Sequence, residues 1–316
     1  MGGFERGGNE GEGLEGSMEK LGKNAEKKEF GRNVHAVLEF LRHATPGKNP
    51  DGTSADFITP GGQEMAKQLG KERPKEKKLG GYSSPAKRAQ ETGDLYLDNA
   101  DDSIGVVNRT ITEINETRLA EAMKPGKKGG KLDLPAQREG NVFRMKTRNE
   151  LAPLAFGKII GFAKVYAKQQ KENGSKLDDL TLMIQYYLDN PKKCEEVGLE
   201  VPHEAATQIA ERVAVELGMT ERFYADSDVR LINVTHGPKL EPFLKEVVGF
   251  DRLEEIGGAV KEGENIQFVV DIDADKNKKV TLVFRGKEYE LDAGQIKHIT
   301  DMSKEYRDKL KAKKQE

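Results

Sequence analysis

Apolar residues in this chain recur with two spacings, and the two alternate along it. Residues 34–41 (VHAVLEFL) form a nearly unbroken apolar run of strand length. A strand buried on both faces of a parallel sheet reads this way. Residues 229–235 (VRLINVT) repeat the pattern, and 80–84 predict a shorter strand. Between them the period lengthens to that of a helix. Met65, Ala66 and Leu69 follow Thr59 and Pro60, an N-cap and a first-turn proline. Residues 85–97, 152–171, 203–217 and 238–248 also predict helices. Residues 265–272 and 279–291 alternate around a polar DADKN segment and predict a β-hairpin. Strands alternating with helices imply a mainly parallel sheet covered on both faces, a three-layer α/β/α sandwich.

The ends differ in character. Residues 1–33 are rich in Gly, Glu and Lys and carry too little apolar surface to offset ordering entropy, so a disordered arm is expected. Residues 301–316 form a charged tail, a short surface helix or a frayed end. One domain is expected over 34–300, with a helical insert at about 122–220 and the hairpin near its end. Within the insert, Pro125, Gly126, Gly129 and Gly130 stand among lysines, which is loop chemistry.

Composition narrows the function classes. Hydrophobic residues are 35% of the 316 and charged residues 34%, polar for a globular chain. No run approaches 18 apolar residues and no apolar core marks a secretory leader, so a cytoplasmic protein without membrane partners is expected. A net charge of -2 lacks the basic excess of a general nucleic-acid binder. Cys194 is the one cysteine, which excludes a disulfide framework and a multi-cysteine zinc site. Asp271, Asp273, Asp275 and Asn277 have carboxylate spacing suited to calcium. Lys276 and Leu282 stand where a calcium loop needs Gly and Glu, so a hairpin turn is the better reading.

Both strong strands end in a histidine: Leu41-Arg42-His43-Ala44 and Val234-Thr235-His236-Gly237. Reactive groups in such sheets lie just beyond the carboxyl ends of strands. Between them come Ser83-Ser84-Pro85-Ala86-Lys87-Arg88, opening a helix, and Leu119-Ala120-Glu121. Arg42 and Arg88 each offer a planar fork for two phosphate oxygens, His236 a further donor and His43 a nitrogen nucleophile. The helix beginning near Pro85 could add its N-terminal N–H groups. His35, His203 and His298 are read as structural, and Cys194 as a bystander.

These motifs in this order, from about Val34 to Val248, resemble the histidine phosphatase superfamily, related to phosphoglycerate mutase. The resemblance implies a phosphoglycerate mutase-like fold and phosphomonoester hydrolysis through a phosphohistidine on His43. Arg42, Arg88 and His236 would hold the phosphoryl oxygens. Glu121 would act as acid and base, with Glu116 in Asn115-Glu116-Thr117 as the alternative. No metal or organic cofactor is implied, and the partner is a phosphorylated small molecule or phosphoprotein. Ala44 stands where the family has glycine, and Glu91 where it has glutamine. Two alternatives stay open: mutase-type phosphoryl transfer, which the lack of Trp argues against, and a non-catalytic module binding a phosphorylated ligand. The lysine-rich residues 124–131 could recruit anions or be a solvated loop. Arg144, Lys146 and Arg148 could bind a second anionic group.

Overall fold

A computed structural model describes residues 29–50, 54–100, 105–106, 137–139 and 142–315. Strand β1 (Val34–Arg42) lies at the centre, with eight of its nine residues buried. It is followed by a small antiparallel pair, β2 (Pro46–Lys48) and β3 (Ser54–Ile58). Helix α1 (Pro60–Glu72) comes next, and Thr59 caps it by accepting from Gly62 N at 3.0 Å. Strand β4 (Lys78–Ser83) and helix α2 (Lys87–Asp98) complete the first half.

Short strands follow: β5 (Gly105–Val106), β6 (Gln137–Glu139), β7 (Val142–Arg144) and β8 (Lys146–Thr147). Four helices follow: α3 (Gly157–Glu172), α4 (Asp179–Asp189), α5 (Pro191–Glu196) and α6 (Pro202–Thr220). The chain then returns to the centre as β9 (Asp228–Thr235) and leaves in α7 (Gly237–Val248). It closes with β10 (Asn265–Ile272), β11 (Lys278–Phe284), β12 (Lys287–Glu290) and α8 (Ala293–Ala312).

The main sheet has eight strands in the order β12-β11-β10-β1-β9-β4-β5, with β8 also paired to β4. Strands β1, β9, β4, β5 and β8 run parallel. The last three strands extend the edge antiparallel, so the sheet is parallel through its middle and mixed as a whole. The expected hairpin is a three-stranded meander, because Arg285 and Gly286, both at positive φ, turn the chain again. Within the DADKN turn, the Asp273 carboxylate accepts from the Asp275 and Asn277 backbone N–H groups, both at 2.8 Å. Residues 301–312, read as tail, continue helix α8, which packs on α6. Met302 and Ser303 are buried there.

Side chains alternate across the sheet and make two cores. Ala36, Leu38 and Phe40 of β1 face the large cluster, covered by α4, α6 and α7. Leu41, Ile232 and Val234 face a smaller cluster closed by Ala89, Tyr96 and Leu97 of α2. These are the two helical layers of a three-layer sandwich.

The smaller face also buries charge. Glu39, wholly buried in β1, accepts from Arg230 Nη1 at 2.7 Å, Arg73 Nη1 at 2.7 Å and Tyr96 Oη at 3.0 Å. Asn265 Nδ2 donates to it as well. Burial pushes the Glu39 pKa up, but Arg230 and Arg73 with the Asn265 hydrogen bond outweigh it and hold the carboxyl below its usual range. Arg230 also grips Glu76 through Nε and Nη2 at 2.7 and 2.9 Å.

Removing one partner of a buried ion pair leaves an uncompensated charge, which commonly costs about 3–5 kcal/mol. Arg230→Met is therefore expected to lower the unfolding free energy by about that much in urea titration. A loss under about 1 kcal/mol would show that Arg73 alone suffices for Glu39.

Candidate active site

Register brings the strand-end residues together. Arg42 of β1 pairs with Thr235 of β9, and His43 N donates to Thr235 O at 2.9 Å. On the other side of β9, Ser83 pairs with Val234, and Ser84 N donates to Val234 O at 2.8 Å. His43, His236 and Ser84 therefore stand in a row beyond the carboxyl ends of three adjacent parallel strands. The imidazoles of His43 and His236 meet edge to face, with ring centroids 4.9 Å apart.

Arg88, on the first turn of α2, joins them. Its Nε lies 3.3 Å from His43 Nε2, and its Nη2 lies 3.4 Å from His236 Nδ1. The arginine can only donate, so both of these ring nitrogens accept. The tautomers follow. His43 carries its proton on Nδ1, which donates to Ala44 O at 2.7 Å. His236 carries its proton on Nε2 and donates to Ser84 Oγ at 2.9 Å. Thr92 braces the start of α2 against the first strand end: its Oγ1 donates to Arg88 O at 2.7 Å and accepts from Ala44 N at 3.1 Å.

Both imidazoles are neutral. Burial drives the His43 pKa down to about 3, and the Arg88 and Arg42 charges add to this against the pull of the Ala44 carbonyl. His236 is held well below the usual imidazole range, first by burial and then by His43, Arg88, Lys239 and Arg42. A neutral ring with an unprotonated Nε2 can act as a nucleophile once the Arg88 N–H turns from it to an anion.

Arg42 lies against the start of α7. Its Nη1 donates to Val260 O at 2.5 Å, and its Nη2 pairs with Glu262 Oε1 at 2.9 Å. A Cβ on Gly237 would stand 2.8 Å from Nη1 and 3.0 Å from Cζ, so a side chain there would displace the end of Arg42. Asp56 pairs with Arg88 Nη1 at 3.5 Å at the mouth of the site.

Of the residues singled out in the sequence, His43, Arg88 and His236 converge, and Arg42 adjoins them through Gly237. Glu121, Glu116 and the lysine-rich stretch 124–131 lie outside the described residues, as does the side chain of Arg144. Arg148 lies over the Tyr82 ring, 4.8 Å from its centroid. His35 pairs with Asp271 at 2.7 Å. His203 bridges Glu246 and Glu305, each at 3.0 Å, and His298 reaches Glu246 at 3.3 Å. Cys194 is buried, with its thiol pushed up to about 11 chiefly by burial. Among the described residues, no group of three or more His, Cys, Asp or Glu could hold a metal ion. No helix among them is long and apolar enough to cross a membrane.

Sequence reasoning missed the Ser84 contact, Glu262 and Asp56. Ser84 had a signal, since it lies between a strand and the helix that carries Arg88. Glu262 and Asp56 reach the site from loop and edge segments with no motif of their own.

No family model matches the chain, and no curated protein matches it. Among solved structures it is similar to a phytase from Citrobacter braakii, at 13% identity and a TM-score of 0.44, over 87% of this chain and 97% of that one. It is also similar to a mycobacterial glucosyl-3-phosphoglycerate phosphatase, at 13% identity and a TM-score of 0.42, over 78% and 97%. A phosphoserine phosphatase from Entamoeba histolytica gives 11% identity and a TM-score of 0.37, over 83% and 99%. At these identities and scores, a functional reading has to come from the site's own geometry.

Gly237→Ala is expected to push the Arg42 guanidinium off its Val260 and Glu262 partners. Overpacking of this kind costs about 1–3 kcal/mol. Affinity for inorganic phosphate, measured by calorimetry, should fall by more than the stability loss explains. Unchanged affinity would mean that Arg42 has no part in holding an anion.

Proposed function

We propose that this chain is a histidine-type phosphatase that hydrolyses phosphomonoesters through a covalent phosphohistidine on His43. The observation that carries this reading is the approach of the Arg88 guanidinium to His43 Nε2 at 3.3 Å, with His236 on the same arginine. A planar fork beside an unprotonated, buried imidazole nitrogen suits in-line attack on a phosphoryl group whose oxygens the fork holds.

The His43 Nε2 lone pair forms the N–P bond as the ester P–O bond breaks. The electron pair of that bond leaves on the ester oxygen. The Ala44 carbonyl, accepting from Nδ1, steadies the positive charge that the ring gains. Arg88, Arg42 and His236 bind the phosphoryl oxygens. His236 reaches them as its other tautomer: the ring proton moves from Nε2 to Nδ1, which exchanges Arg88 for a phosphoryl oxygen, while the Ser84 hydroxyl turns to donate to Nε2. Glu121 gives its proton to the leaving oxygen. Its carboxylate then takes a proton from water as the water attacks phosphorus, and the N–P electron pair returns to His43. No cofactor enters these steps. The substrate is a phosphorylated small molecule or a phosphoprotein.

His43→Ala should abolish phosphate release from a generic aryl phosphate; loss of a nucleophile costs up to about 10⁶ in comparable enzymes. Rapid mixing of the unaltered protein with substrate should trap an acid-labile phosphate on His43. Turnover of the variant within tenfold of the parent would overturn the mechanism.

The acid is tested by leaving group. General acid catalysis contributes about 10²–10⁴-fold where the leaving group needs a proton. Glu121→Gln should therefore slow alkyl phosphate cleavage far more than nitrophenyl phosphate cleavage, whereas Glu116→Gln should slow neither selectively. The reverse pattern would transfer the role to Glu116.

A further inference from the structure

One buried carboxyl next to the site takes no part in the steps above. Glu241 lies on α7, one turn after Gly237, and its side chain is wholly buried. Its Oε1 accepts from Val260 N at 2.9 Å. The carbonyl of the same Val260 accepts from Arg42 Nη1 at 2.5 Å. The two side chains thus grip opposite ends of one residue. Each also keeps one buried polar atom without a hydrogen-bond partner: Glu241 Oε2 and Arg42 Nε. An Nε–H can only donate, and a carboxylate oxygen can only accept, so these two orphans are complementary when Glu241 is ionised.

We propose that Glu241 is a positioning residue that governs how strongly Arg42 binds an anion, through its own charge and through the Val260 residue that both side chains share. The proposal rests on the reading of Arg42 as a phosphoryl-binding residue. With Glu241 neutral, the Arg42 charge is uncompensated on the helix side and is directed to the site. With Glu241 ionised, that charge is shared with a buried carboxylate, and an incoming anion meets a weaker field.

The surroundings favour the neutral form at neutral pH. Burial pushes the Glu241 pKa up to about 8, opposed by Arg42, two backbone hydrogen bonds and Arg285. The groups that face it come from three elements. Arg42 comes from the end of β1 and Arg285 from the β11–β12 turn. Tyr187 of α4 is the third, and burial raises its hydroxyl far above the ordinary phenol range. Burial keeps the Tyr187 hydroxyl from ionising near neutral pH, and the titration the test follows is that of Glu241.

The sign follows from the charges. As pH rises through the Glu241 pKa a negative charge appears beside Arg42, so anion affinity falls. Glu241→Gln keeps the shape and the Val260 contact but cannot ionise. Inorganic phosphate is titrated by calorimetry into the full chain and into Glu241→Gln at pH 6 and pH 9. The ratio of variant to parent affinity should rise about tenfold between the two, the effect of one nearby charge in a partly shielded site. Taking the ratio at each pH cancels the titration of phosphate itself and of the other site groups. A structural role alone would change affinity by the same factor at both pH values, and that result would overturn the proposal. Glu241→Met, neutral and of similar length, repeats the test should the glutamine variant fail to fold. Phosphate that does not bind the parent at either pH would also overturn it. Because no turnover is needed, a parent that binds phosphate but cleaves no ester would refute the phosphatase reading while the ratio still decides this one.

Discussion

The buried carboxylate of Glu39 is the constraint on which the site depends. It sits in the middle of β1 and is satisfied by donors from four other parts of the chain: Arg230 of β9, Arg73 just after α1, Tyr96 of α2 and Asn265 of β10. A buried charge tolerates few arrangements, because each lost donor leaves a desolvated group exposed to its full penalty. A shift of β1 against β9 would break the Arg230 contact. The same register that satisfies Glu39 places Arg42 opposite Thr235, and so sets His43 beside His236.

At the strand ends the chemistry reverses. Among the described residues the two buried histidines have no acidic partner, and the charged group that contacts both rings is Arg88. Burial and the nearby cations keep both rings neutral. Guanidinium groups and neutral imidazoles thus share one small space with little negative charge among the described residues. Asp56 on Arg88 and Glu262 on Arg42 supply part of what is lacking. On the proposed reading, an incoming anion would compete with these carboxylates for the guanidinium groups.

Much of this was legible in the chain itself. The two central strands announced themselves because both of their faces are buried, which leaves an unbroken apolar run rather than an alternating one. Their terminal histidines and the Arg88 helix were legible because each stands at a boundary between spacings. Other parts were hidden for physical reasons. Glu39 and Arg230 sit inside those apolar runs, and nothing local says that one answers the other across the sheet. Glu241 looks like a solvent-facing helix residue until the Val260 segment covers it. The tail at 301–312 looked solvated because most of its residues are charged. Yet Ile299, Met302 and Ser303 form a narrow buried stripe, enough to hold the helix against α6.

The placement of the site at the ends of β1, β4 and β9 also sets when it can exist. His43 and Arg88 come well before β9 in the chain, and helices α3 to α6 lie between them. Strand β1 needs β9 on one side and β10 on the other, and β10 is later still. Long-range parallel pairing closes large loops and is slow to form. His43 and Arg88 therefore have no His236 beside them until β9 has been made and paired. The candidate site is thus a product of long-range pairing, absent from any one stretch of the chain.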